Sequence, residues 1–200
     1  MRSKAILILA VLSAMTLVTA TYGATITWAG PSTAPAHDFA GNVLQGTSTF
    51  GTPNLSNGAL VQFYLAVGEI DDPRANMDAY QNTDWVIDDV LLAESHVGFG
   101  TFSSNAGSWS HKADYAVNQG DTVYVRAYNL PKADWATASL AEREVGIRNS
   151  DDIIVFQAVG DTKNPQVLNF GDLKTEPIPE PASLLFLVPG LAVWAIRRKK

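Results

Sequence analysis

Ala59-Leu60-Val61-Gln62-Phe63-Tyr64-Leu65-Ala66-Val67 decides the fold class of this chain. Val61, Phe63, Leu65 and Val67 alternate with Gln62, Tyr64 and Ala66, the period of a strand with one face turned to a core. Thr122 to Asn129 repeats the pattern: Val123, Val125 and Ala127 point one way, Tyr124, Arg126 and Tyr128 the other, and Gly120-Asp121 supplies a turn just before. Working outward, Ala24–Trp28, Trp85–Ala93, Asp152–Val159 and Val167–Phe170 are further short runs rich in β-branched and aromatic residues, bounded by Gly, Pro, Asn and Asp. Val97–Phe102 and Ser108–Tyr115 add two strands around an Asn105-Ala106-Gly107 turn. Only Lys132–Glu142, following Pro131, reads as helical. Strands in series without βα alternation predict an all-β protein, an antiparallel β-sandwich of Ig-like or jelly-roll type, with a closed barrel as the alternative.

The two ends differ from this middle. Arg2 and Lys4 precede fourteen uncharged residues, Ala5 to Val18, and then small residues through Val18-Thr19-Ala20 and Gly23. This is the layout of a secretory signal peptide, cleaved after Ala20 or Gly23, with the Sec translocon and signal peptidase as partners. At the other end Pro177, Pro179 and Pro181 enforce an extended backbone without amide donors. An apolar run, Ala182 to Ile196, follows and then Arg197-Arg198-Lys199-Lys200. As a helix the run reaches about 22 Å, short of a ~30 Å hydrocarbon core, so spanning relies on snorkelling flanks or local thinning. The four cations act as a stop-transfer signal and hold the end in the cytoplasm. The chain thus divides into 1–23, a signal peptide; 24–175, an exported domain; 176–181, a proline-rich linker; 182–196, a short transmembrane helix; and 197–200, a basic cytoplasmic end.

Pro179-Glu180-Pro181, the apolar run and the basic end, in that order, resemble the PEP-CTERM sorting signal of exported Gram-negative proteins. The resemblance covers residues 176–200 only. It implies recognition by an exosortase, a membrane-embedded cysteine protease or transpeptidase, with cleavage near the tripeptide. It further implies an inner-membrane-anchored precursor, release or attachment at the cell surface, and a host that makes exopolysaccharide. The expected role of the mature domain is structural or adhesive, in the envelope or an extracellular matrix.

Composition excludes several other roles. No cysteine is present, so disulfides, thiol nucleophiles, thiolate zinc sites and iron–sulfur clusters are ruled out. Six of the fourteen cations lie in the two ends, and residues 24–175 keep eight against eighteen acids. Such a surface repels nucleic acid.

Within the domain, Glu69 to Glu94 concentrates acids: Glu69, Asp71, Asp72, Asp78, Asp84, Asp88, Asp89 and Glu94, with the single cation Arg74. Asp71, Asp72, Asp88 and Asp89 offer hard oxygens for calcium, although the spacing is neither that of an EF-hand nor that of a Gly-rich repeat. The competing reading is a solvated loop with Asp71 and Asp72 capping a turn before Pro73. Trp85 and Trp109, flanked by polar residues, are candidates for an aromatic platform that stacks on sugar rings of a polysaccharide. No enzyme is expected: His37, His96 and His111 lack metal-ligand spacing, and no Gly-x-Ser-x-Gly elbow or phosphate loop occurs. An extracellular hydrolase built on a converging carboxylate pair remains the third reading, after matrix protein and sugar- or calcium-binding module.

Overall fold

The computed structural model describes residues 24–75, 82, 83, 85, 88–101, 106–118, 120–148, 154, 155 and 166–177. The strands are β1 (Ala24–Gly30), β2 (Leu60–Leu65), β3 (Val90–His96), β4 (Trp109–Tyr115), β5 (Thr122–Tyr128), β6 (Glu144–Ile147), β7 (Ile154–Val155), β8 (Gln166–Asn169) and β9 (Glu176–Pro177). One short helix, α1 (Lys132–Thr137), lies between β5 and β6. The strands form two sheets, ordered β4-β1-β8 and β3-β2-β5-β6-β9, with β7 also paired to β5.

The two sheets share an apolar core, as an all-β sandwich requires. Trp28 of β1 stacks on Phe63 of β2 with ring centroids 5.3 Å apart, and Phe63 meets the edges of Tyr115 and Phe170. The Trp28 Nε1–H donates to the Tyr115 hydroxyl at 2.8 Å, so the one polar atom of each ring is satisfied by the other. Val61, Val123, Val125, Ala127 and Leu168 fill the remaining space. Burial of each such large side chain contributes about 1.5–3 kcal/mol.

One pairing departs from the antiparallel expectation. β1 runs antiparallel to β4, from Ala24↔Tyr115 to Gly30↔Trp109, but parallel to β8, from Ile26↔Gln166 to Ala29↔Asn169. A parallel pair needs a long connection, and the chain between β1 and β8 provides one through the larger sheet.

Several boundaries also move. β2 ends at Leu65, and Val67 lies outside the strand and 46% exposed. The third strand starts at Val90 rather than Trp85, because Asp88 and Asp89 are engaged in holding a loop, as described below. Val97–Phe102 is no strand over its described part: Gly98 and Gly100 adopt φ of 93° and 68°, which breaks an extended backbone, and only a Thr49↔Phe99 bridge remains. The helical stretch stops at Thr137, where Ala138 and Ser139 turn extended; Ser139 and Glu142 then form a capping box on a separate 3-10 turn, Leu140–Glu142. β6 and β9 were not anticipated. The expected linker begins two residues late, since Glu176 and Pro177 pair with Val145 and Glu144 of β6.

Among the described residues no helix is long and apolar enough to cross a membrane. The expected signal peptide (1–23), sorting tripeptide Pro179-Glu180-Pro181, apolar run (182–196) and basic end (Arg197, Arg198, Lys199, Lys200) lie outside the described residues.

Candidate functional site

The outward face of the larger sheet is the place where sequence alternation and burial part company. Gln62, Tyr64, Tyr124 and Arg126 point away from the shared core, yet each is 0% exposed, and Tyr128 is 2% exposed. Described residues of the acidic segment after β2, namely Asp71, Thr83, Trp85 and Asp89, lie against this face. Its anchor is Arg126: the guanidinium lies 4.3 Å over the Tyr64 ring and 5.8 Å from the Trp85 ring. One terminal nitrogen donates to the Trp85 carbonyl, and the other to the Asp71 carbonyl at 2.7 Å and the Tyr124 hydroxyl at 3.0 Å. Tyr124 in turn donates to Asp89 Oδ2 at 2.6 Å. The buried cation therefore reaches a carboxylate through one phenol, in addition to the π-faces beside it. Burial pushes the Tyr124 hydroxyl well above the ordinary tyrosine range, so it remains a donor.

Asp71, Asp88 and Asp89 bring one carboxylate oxygen each to within 4.8 Å of one another. Their geometry is that of a loop clamp. Asp89 accepts from the Val67 N–H and the Asp71 N–H, both at 2.8 Å, while Asp71 accepts from the Asp88 N–H at 3.1 Å and the Asp89 N–H at 3.4 Å. The two aspartates thus cap each other's backbone across the base of the segment, which fixes where β3 begins. Asp72 is not part of the cluster; it accepts from Arg74 Nε and Nη2, the latter at 2.7 Å. Calcium takes six to eight oxygens. Oδ2 of Asp89 already receives two donors and Asp72 faces a guanidinium, so of the four aspartates expected to offer oxygens to calcium the fold brings Asp71, Asp88 and Asp89 together and sets Asp72 apart. The solvated-loop alternative also needs correction, since Asp71 and Asp89 are 9% and 4% exposed.

A second polar chain crosses the same face. Gln62 donates to Glu94 at 2.8 Å, Lys132 of α1 pairs with the same Glu94 oxygen at 2.8 Å, and the hydroxyls of Tyr64 and Tyr128 lie 3.0 and 2.8 Å from Gln62 Oε1. None of Gln62, Arg126 or Lys132 stood out as a site in the sequence. The available signal was the Tyr124-x-Arg126-x-Tyr128 alternation, an outward row too aromatic for free solvent.

The two platform candidates are separated by the fold. Trp109 belongs to β4, faces the core at 1% exposure and sits 6.5 Å from Trp28. It has no face to offer a sugar, because Gly30 packs directly against its ring. Trp85 is half-buried over the outward face of the other sheet, beside Arg126. Of the histidines, His96 is fully buried, with Nδ1 2.8 Å from the Val97 carbonyl and Nε2 2.8 Å from Thr49 Oγ1. Burial lowers its pKa, and the neutral ring with Nδ1 as donor satisfies both contacts. Burial also lowers the pKa of His111, which packs at right angles to Phe99 and against Trp28.

An open groove of about 490 Å³ runs elsewhere, lined in part by Gln45, Thr47, Asn57, Asn129, Leu130 and Pro131. Its lining carries amides, hydroxyls and glycines and no ionisable side chain.

Compared with known proteins, the chain matches no family model, no curated protein and no solved structure.

Proposed function

We propose that this chain is the precursor of an exported surface or extracellular-matrix protein, carried to the envelope by a signal peptide and processed at Pro179-Glu180-Pro181 by an exosortase-like partner. The observation that carries the reading is the ordered tripartite tail, residues 179–200, paired with an export signal at the opposite end. The domain between them is compatible with a structural or adhesive role: the outward face of its larger sheet is buried, and Arg126 and Tyr124 on it are engaged with Asp71, Trp85 and Asp89 of the same chain. Intact mass spectrometry of the protein from a Gram-negative exporting host tests it. The expected product has lost both ends, with termini near residues 21–24 and near the tripeptide. Glu180→Ala, or deletion of residues 197–200, is expected to leave full-length precursor in the membrane. Equal release of wild type and both variants would overturn the reading.

A second reading, a saccharide-binding module, is favoured by the neutral groove between Gln45 and Pro131. Amides and hydroxyls suit sugar hydroxyls, and the Leu130-Pro131 wall suits the apolar face of a ring. Calorimetric titration with neutral oligosaccharides distinguishes the two; heat of binding that Asn57→Ala removes favours the module.

A further inference from the structure

The point at which the tail leaves the domain is built from an unequal pair of contacts. Thr175 is 0% exposed; its N–H donates to the His37 carbonyl at 2.9 Å and its hydroxyl to Glu144 Oε2 at 2.6 Å. Glu144 also accepts the Phe39 N–H at 2.8 Å, so this carboxylate ties the exit to the amino-terminal half of the domain. The next two residues are held far more lightly. Glu176 and Pro177 form β9 on the outer edge of β6, and both are exposed. Pro177 has no N–H to give the ladder. The side-chain hold on them among the described residues is Arg74 Nη1 on Glu176 Oε2 at 3.1 Å, at a glutamate side chain 56% exposed.

Chain length makes this edge consequential for processing. A single residue separates Pro177 from Pro179, and the four residues 178–181 span at most about 14 Å when extended. A protease grips several residues of extended backbone around the bond it cuts, and with β9 in place the sheet edge stands where that grip must close. Peeling Glu176 and Pro177 from β6 lengthens the free segment by two residues before the buried Thr175 stops it.

We propose that β9 is a releasable strap that meters cleavage of the sorting motif: processing proceeds from the state in which Glu176-Pro177 has left β6, and Arg74 sets the population of that state. The inference rests on the processing reading above. The cleavage itself transfers an acyl carbon from the leaving amine to water, breaking one C–N bond and forming one C–O bond, with a proton delivered to the amine. Where opening and closing are fast relative to cutting, the rate follows the population of the open form.

Pulse-chase of the full chain in an exporting host tests this with four variants. Inserting six Gly/Ser residues between Pro177 and Ile178 supplies reach without touching the fold, and is expected to speed processing at least about five-fold. Arg74→Ala and Glu176→Gln each remove an exposed ion pair and are expected to speed it about two- to five-fold. Glu180→Ala is expected to stop it. If the first three are cut at the wild-type rate while Glu180→Ala remains blocked, the strap is refuted and the sorting reading stands. If Glu180→Ala is cut like wild type, the sorting reading fails and the strap fails with it.

Discussion

Arg126 sits at zero exposure, where a bare guanidinium would be prohibitively costly to bury. The tyrosine faces, two carbonyls and the Tyr124–Asp89 link offset that cost, and in doing so they fasten the acidic segment to the sheet. Arg126→Ala is expected to destabilise the protein by about 3 kcal/mol, since it leaves a cavity and strips donors from the Trp85 and Asp71 carbonyls. Tyr124→Phe removes only the hydrogen bonds to Asp89 and Arg126, and about 1–2 kcal/mol is expected. The two losses should add to less than their sum, because both break the same network. Urea unfolding of the two single variants and the double variant measures all three; full additivity would argue against a connected network. The alternation of Tyr124, Arg126 and Tyr128 is visible in sequence, but the partners of Tyr124 and Arg126 come from a segment 35 to 55 residues away.

At the scale of elements, residue pattern located strands well where one face is apolar and turns are marked, as in β2, β4, β5 and β8. It failed where an element is short or is set by a distant contact. β6 and β9 are too brief to carry a period. Val97–Phe102 has the composition of a strand, but its described part, Val97 to Thr101, is a tight crossing between loops, where backbones approach closely. Gly46 is part of that crossing: a Cβ there would lie 1.7 Å from the Val97 carbonyl oxygen, and backbone cannot yield as a side-chain tip can. Gly46→Ala is accordingly expected to cost roughly 2–4 kcal/mol, read as a lower denaturation midpoint at unchanged slope. A variant as stable as wild type would show that the loops can part without loss.

For the whole molecule, the joint between the sheets is expected to weaken in acid. His96 of the larger sheet and His111 of the smaller one both pack against Phe99, with centroids 5.7 and 5.2 Å away. Both rings titrate near 6.5 when unfolded and lower when folded, because burial penalises the charged form. The folded state binds these protons less readily, so the stability they contribute is intact above pH 6.5. It is lost as pH falls from there through the depressed folded values. Melting temperature is therefore expected to hold above about pH 7 and to drop towards pH 5. His96→Gln should flatten that drop; an unchanged pH profile would exclude His96 as its source. At the alkaline end burial pushes the Tyr115 hydroxyl up to about 12, so its contribution is complete below the ordinary value of 10.0 and fades as pH rises towards 12.

The sequence by itself determined what short-range chemistry can determine: strands from period-two alternation, breaks at Gly and Pro, a cysteine-free acidic domain and the distinct character of its two ends. These are properties of neighbouring residues, and neighbours are what a sequence displays. Tertiary structure alone decided that both faces of β2 and β5 are buried and that Trp109 is core. It alone brought Asp71, Asp88 and Asp89 together, set Asp71 and Asp89 on each other's backbone, and docked Glu176-Pro177 on β6 where a linker was expected. Each of these depends on which remote segment covers a given face, and burial is a property of the pair rather than of either partner.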